Sequence, residues 1–327
     1  MMARLQQVTT LGTFLLAVLW ATLFWRSGHP GWAMAGALLI VGGYALVLGL
    51  EFTLLARVHG NDPTPRATAR LLTRAWWGEL LAAPTVFCWR QPFASQAFAD
   101  HLPAQATGRR GVLLVHGFVC NRGVWNPWLA RLRVQNTPVV AVNLEPVFGS
   151  IDDHIAGIEA AVCQLEGCTG LAPVIVAHSM GGLAVRCWWA NSNNKARVHR
   201  LITLGTPHQG TWLARFAFTQ NARQMRLGSK WLHALTAREP TDRPAGMTCF
   251  FSHCDNIVFP PLSAVMPGAE PRHLPGVAHV HMVDHPEPWD ELQRWLSQRA
   301  DSVDTCHRSF HAGAPVRCGS GRARQPQ

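Results

Sequence analysis

The segment that most constrains the fold is Val174-Ile175-Val176-Ala177-His178-Ser179-Met180-Gly181-Gly182. Val174 to Ala177 is a short apolar run, three of its four residues β-branched, and reads as a strand buried on both faces. It passes without a linker into a helix expected to begin near Met180. A chain that goes from strand to helix in so few residues must turn sharply at Ser179, and small flanking residues such as Ala177 and Gly181 leave the room for it. The serine is then presented at a strand end. The N-terminus of the following helix favours negative charge developing nearby. Such a setting suits a nucleophile.

The surrounding pattern supports a sheet built around this segment. Short, largely apolar runs at Val112–Val115, Val139–Val142, Val174–Ala177, Leu201–Leu204 and Met247–Phe251 read as strands. Between or after them lie helix-like stretches at Val124–Arg133, Ile151–Leu165, Met180–Ala190 and Glu287–Gln298. Alternating strands and helices imply a mostly parallel sheet covered by helices on both faces. Residues 211–245 interrupt the rhythm with Trp212, Phe216, Phe218, Met225, Trp231 and Leu232 among Arg and Gln, as expected of a cap over a site.

A nucleophilic serine needs a base, an acid to orient the base, and donors for the oxyanion. Gly111 to Phe118 contains a strand ending in His116-Gly117, upstream of Ser179, which places the backbone N–H groups of Phe118 and Met180 as candidate oxyanion donors. After Ser179, the Met247–Phe251 strand leads to Asp255, the candidate acid. The candidate base is His279, in the loop after Leu274-Pro275-Gly276-Val277-Ala278; His281 and His285 are its rivals. Asp284 also lies near, but it follows His279 and breaks the order Ser, acid, His. With 16 histidines in the chain, the order of the three groups is what singles out His279.

Four segments together resemble bacterial triacylglycerol lipases and related esterases: His116-Gly117-Phe118, Ala177 to Gly182, Leu204-Gly205-Thr206-Pro207-His208-Gln209-Gly210, and Asp255-Asn256-Ile257-Val258. The resemblance covers roughly residues 111–298. It implies an α/β-hydrolase fold, a triad of Ser179, Asp255 and His279, and an oxyanion hole of Phe118 and Met180. It also implies hydrolysis of a carboxylic ester with no metal or organic cofactor. A membrane acyltransferase or thioesterase using the same triad, or a non-catalytic binding module, are the alternatives.

Ahead of this domain, Leu5–Trp25 and Gly31–Leu50 hold no charged residue, and each is about the length that spans a bilayer. The intervening Arg26-Ser27-Gly28-His29-Pro30 is short and helix-breaking, so a two-helix transmembrane hairpin over residues 1–51 is expected, rather than a cleaved leader. Arg57, Arg66, Arg70 and Arg74 follow the second run, which by the positive-inside tendency puts the catalytic domain on the cytoplasmic side. Residues 52–108 are a basic connector whose helical middle, Ala67–Leu81, either lies along the membrane surface or packs on the catalytic domain, assigned to 109–299. A polar tail over 300–327 is expected to be disordered. Partners implied are an ester or lipid-like substrate and membrane lipids.

The net charge of +10 does not point to nucleic acid, because the basic residues are spread and no reader motif accompanies them. Nine cysteines, an odd number with no C-x-x-C pair, indicate neither a disulfide framework nor a zinc site.

Overall fold

Six parallel strands form one sheet: β1 (Val112–Val115), β2 (Val139–Ala141), β3 (Val174–His178), β4 (Arg200–Leu204), β5 (Met247–Phe251) and β6 (Glu270–His273), in the order β2-β1-β3-β4-β5-β6. This is a computed structural model, and it describes residues 1–192, 195–239 and 246–298. The tail expected over 300–327 and the last residues of the expected cap lie outside the described residues.

Strands β1 to β5 coincide with the five apolar runs, and every residue in them is buried. The sixth strand was not expected. Its residues Glu270-Pro271-Arg272-His273 are mostly exposed and lack an apolar pattern. It pairs along β5 at the sheet edge, a position where a proline is tolerated because one side of the strand makes no ladder bonds.

The N-terminal region supplies four long helices, α1 (Met2–Arg26), α2 (Pro30–Gly42), α3 (Tyr44–Arg57) and α4 (Ala69–Pro84), followed by a π-helical turn (Thr85–Arg90) and the short α5 (Gln91–Phe93). The sheet is wrapped by α6 (Asn126–Val134), α7 (Ile155–Thr169), α8 (Met180–Asn191) and α11 (Pro286–Ser297), while α9 (Gln220–Gln224) and α10 (Lys230–Arg238) belong to the cap. Period-two alternation divides the core. Leu113, Val115, Ile175 and Ala177 pack with Ile158 and Leu165 of α7 and Leu183 of α8. Val112, Leu114, Val174 and Val176 pack with Leu129 and Leu132 of α6 and Leu292 of α11 on the other face.

The second apolar run is not one straight helix. It breaks at Gly42-Gly43, and α2 and α3 meet at a bend of 51°; paired small residues are a recognised cause of such kinks. α2 lies along α1, where the Trp20 indole donates to the Trp32 carbonyl at 2.9 Å. Leu48, Phe52 and Leu55 of α3 instead pack on Ala75 of α4 and on Cys254, Phe259 and Ala278 from the loops beyond β5 and β6. α4 also packs inward, burying Ala75, Glu79 and Ala82, with Trp76 in the same cluster and Trp77 and Leu81 facing out. The cap is tied down by Trp231, whose indole donates to Asp152 at 2.6 Å, and by a buried ion pair between Arg186 of α8 and Glu239.

Candidate active site

The chain leaves β1 toward β2 on one side and returns to β3 on the other, so the order in which strands are added reverses between β1 and β3 while all strands stay parallel. Crevices outside the carboxyl ends of strands at such a point are where open α/β sheets bind ligands. Ser179 and Gly117 both sit there.

Ser179 follows β3 directly with φ 54° and ψ −130°, a backbone region costly for a residue with a side chain. It is held by its own N–H, which donates to the Leu204 carbonyl at 2.8 Å, and by its carbonyl, which accepts from Gly182 at 3.1 Å. The small residues around it are required by packing. A Cβ on Gly181 would lie 2.5 Å from the His116 carbonyl oxygen, and one on Gly117 would lie 2.7 Å from the Ser179 Cβ. β1 and the Ser179 turn are thus in close backbone contact.

Asp255 and His279 meet beside the serine turn. His279 Nδ1 lies 3.0 Å from Asp255 Oδ2, with both side chains almost fully buried. The other Asp255 oxygen accepts the N–H groups of Ile257 and Val258 at 2.9 and 2.8 Å. Asn256 accepts the His279 N–H at 3.2 Å, which fixes the His279 backbone relative to the Asp255 loop. His178 Nε2 lies 3.1 Å from the His279 carbonyl oxygen. Burial by itself would lower the His279 pKa, but the Asp255 charge and hydrogen bond, then Glu79 and Glu51, outweigh it and leave the pKa raised. His281 has a different environment: its imidazole rests against Gly78 of α4, and burial lowers its pKa.

Of the two candidate oxyanion donors, Met180 is the first residue of α8, so its N–H has no carbonyl four residues back to bond. Phe118 follows Gly117 and lines the same cavity as Ser179. His116, whose pKa burial pushes down to about 4, bridges the Gly117 carbonyl (2.9 Å) and the Leu144 N–H (3.0 Å) as a neutral ring.

Comparison with solved structures places this architecture. The mature lipase BlEst2 of Bacillus licheniformis superposes with a TM-score of 0.53 at 16% identity, over 60% of this chain and 96% of that one. Lipase B of Aspergillus fumigatus also gives 0.53, at 18% identity, over 74% of this chain and 64% of that one. The fold is that of the α/β-hydrolases. No protein-family model matches the sequence, and no curated protein does.

On this α/β-hydrolase frame a cavity of about 490 Å³ reaches Ser179 and His279. It is lined by Leu213, Ala214, Ala217, Ala222 and Met225 from the cap, by Tyr44, Val47, Leu48 and Glu51 of α3 and by Glu79 and Ala83 of α4. Glu51 and Glu79 were not foreseen as site residues. A signal existed, since Glu51 is the first acidic residue of the chain and Glu79 is the sole acidic residue between Asp62 and Asp100. A lone carboxylate in an apolar, basic stretch is a functional candidate in its own right. Glu79 is 2% exposed, and burial, partly offset by the backbone N–H groups of Val280 and His281, pushes its pKa up to about 7.

Proposed function

We propose that this chain is a membrane-anchored serine hydrolase that cleaves carboxylic esters, of lipids or lipid-like molecules, through an acyl-enzyme on Ser179. The observation that carries the reading is the buried Asp255–His279 pair at 3.0 Å, whose histidine lines the cavity that Ser179 also lines.

With Nδ1–H donated to Asp255, the neutral imidazole keeps Nε2 as its acceptor. Nε2 takes the Ser179 proton as Oγ attacks the ester carbonyl, and Asp255 stabilises the imidazolium that results. The N–H groups of Phe118 and Met180 receive the oxyanion; a donor of this kind contributes about 3 kcal/mol to the transition state. The imidazolium then protonates the leaving alcohol. Water, deprotonated by the same ring, releases the acid and restores Ser179. No metal or organic cofactor enters these steps.

The lipid-like substrate is supported by the lining of the cavity, in which apolar side chains of the cap and of α3 outnumber the polar groups. The anchor is supported by α1, a 25-residue helix with an 18-residue apolar stretch of which only 11% is buried, and by α2 with α3, which together are long and apolar enough to span a bilayer as one bent segment. Arg57, Arg66, Arg70 and Arg74 favour a cytoplasmic catalytic domain.

The test is Ser179→Ala in the purified full chain. The variant is expected to lose both p-nitrophenyl ester hydrolysis and covalent labelling by a fluorophosphonate. Labelling at the wild-type rate would remove Ser179 from the role of nucleophile.

A further inference from the structure

Three loops meet at the candidate site: the oxyanion loop 117–121, the acid loop 252–258 and the base loop 276–281. Each is held by a polar side chain from a different N-terminal helix. From α1, the buried Gln6 donates through Nε2 to the Val119 carbonyl at 3.1 Å and to Gln91 Oε1, also at 3.1 Å. Gln91 Oε1 in turn accepts the Asn121 N–H at 2.9 Å. Val119 has φ 51°, a left-handed conformation unfavourable for a β-branched residue, so this loop needs outside support to keep its shape. From α3, Glu51 Oε2 accepts from Asn256 Nδ2 at 2.7 Å. Asn256 is the residue after the candidate acid, and its other amide atom holds the His279 N–H. From α4, Glu79 accepts the Val280 N–H at 3.0 and 3.1 Å and the His281 N–H at 3.0 Å, the two backbone donors that directly follow His279.

We infer that the N-terminal helices are part of the catalytic apparatus, with Gln6, Glu51 and Glu79 as positioning residues for the oxyanion, acid and base loops. The inference rests on the reading of Ser179, His279 and Asp255 as a triad. An anchor that served only to tether would place its polar residues toward water. Here Gln6 and Glu79 are buried, and all three hydrogen-bond to one of these loops, Gln6 also to Gln91, which itself holds Asn121. Geometry fixes the loops, and charge acts on the base. The titratable groups that face His279 are Asp255 from the acid loop, Glu79 from α4 and Glu51 from α3, which favour imidazolium, and His178 from the end of β3, which is neutral because burial and then the His279 charge lower its pKa. Glu79 and Glu51 therefore add to Asp255 in making His279 a stronger base.

The experiment compares Glu79→Gln, Glu79→Asp, Glu51→Gln and Gln6→Ala with wild type, in the full chain reconstituted in detergent. His279 titration is followed by NMR of histidine labelled at Cε1 with carbon-13, the resonance being assigned by its loss in His279→Asn. Ester kinetics are run beside it. In Glu79→Gln the His279 midpoint should fall, by less than the loss of a full charge would give, because Glu79, with its pKa pushed up to about 7, is only partly ionised while His279 titrates. Its kcat should fall about tenfold to a hundredfold with little change in KM, as expected when a catalytic group loses its positioning. Glu79→Asp keeps the charge and should keep the midpoint. Gln6→Ala should lower kcat without moving the midpoint. If Glu79→Gln does not fold, Glu51→Gln carries the same titration test from a less buried position. A midpoint and a kcat unchanged from wild type in Glu79→Gln and Glu51→Gln overturn the inference. If wild type neither hydrolyses esters nor takes the fluorophosphonate, yet the midpoint moves as stated, the hydrolase reading falls and the coupling of these helices to His279 stands.

Discussion

Gly205 lies so close to Asp255 that a Cβ on it would sit 2.9 Å from the carboxylate Oδ2, and 3.0 Å from the His279 Nδ1 bonded there. The end of β4 is therefore the floor on which the Asp255–His279 pair rests. Gly205 also has φ 54°, which an alanine adopts only with strain. Gly205→Ala is expected to lower kcat/KM about a hundredfold by pushing the pair out of register with Ser179, while leaving far-ultraviolet circular dichroism unchanged. Gly117→Ala should act similarly from the opposite side, since its methyl would meet Ser179 Cβ at 2.7 Å and Oγ at 3.3 Å. Full activity in both variants would show that the site tolerates more room than this geometry allows.

His279 and His281 are two residues apart but have opposite surroundings. The first meets Asp255, and the second lies against Gly78. Replacing His279 by alanine should reduce kcat about 10⁴-fold, the loss typical of a triad member. His281→Ala should stay within about threefold of wild type, since its tie to Glu79 of α4 is through the backbone N–H, which alanine retains. Steady-state hydrolysis of a soluble ester separates the two, and the reverse ranking would transfer the base to His281.

The pH profile should carry the sign of the His279 shift. In the proposed mechanism His279 works as neutral imidazole, so a raised pKa moves the acidic limb of kcat/KM above the ordinary histidine value of 6.5. Asp255→Asn removes the charge that contributes most to this rise. Its limb should move to lower pH, and its kcat should fall about 10⁴-fold, because an amide at this position no longer selects the Nδ1–H tautomer. An Asp255→Asn limb at the wild-type position would mean that the limb reports another group.

The cap is expected to depend on Arg186. Its guanidinium makes bonds of 2.6 and 3.0 Å to the two Glu239 oxygens and a 2.8 Å bond to the His208 carbonyl, with both charged side chains 3% exposed. Arg186→Ala leaves a buried carboxylate without its counter-charge, which costs about 3–5 kcal/mol. For a chain of this size that is a fall in Tm of roughly 10 °C, measurable by thermal unfolding. A double variant, Arg186→Met with Glu239→Gln, should recover much of the loss, since no uncompensated charge remains buried.

What the sequence determined by itself was local: the five buried strands, the sharp turn at Ser179, and the order Ser179, Asp255, His279. These were legible because apolar periodicity, turn chemistry and chain order are properties of a few neighbouring residues. β6 was not legible, because Glu270-Pro271-Arg272-His273 becomes a strand only by pairing with β5. Only the tertiary structure separated His279 from His281, since which ring meets Asp255 depends on how the loop after Leu274 is packed. It also decided the place of the second apolar run. Gly42-Gly43 let that run bend, and burial of Leu48, Phe52 and Leu55 brought Glu51 to Asn256, 205 residues away. The same holds for Glu79, which reaches Val280 across 201 residues. A hydrogen bond between groups so far apart in the chain leaves no local pattern; it exists because the N-terminal helices and the loops after β5 and β6 share one buried surface.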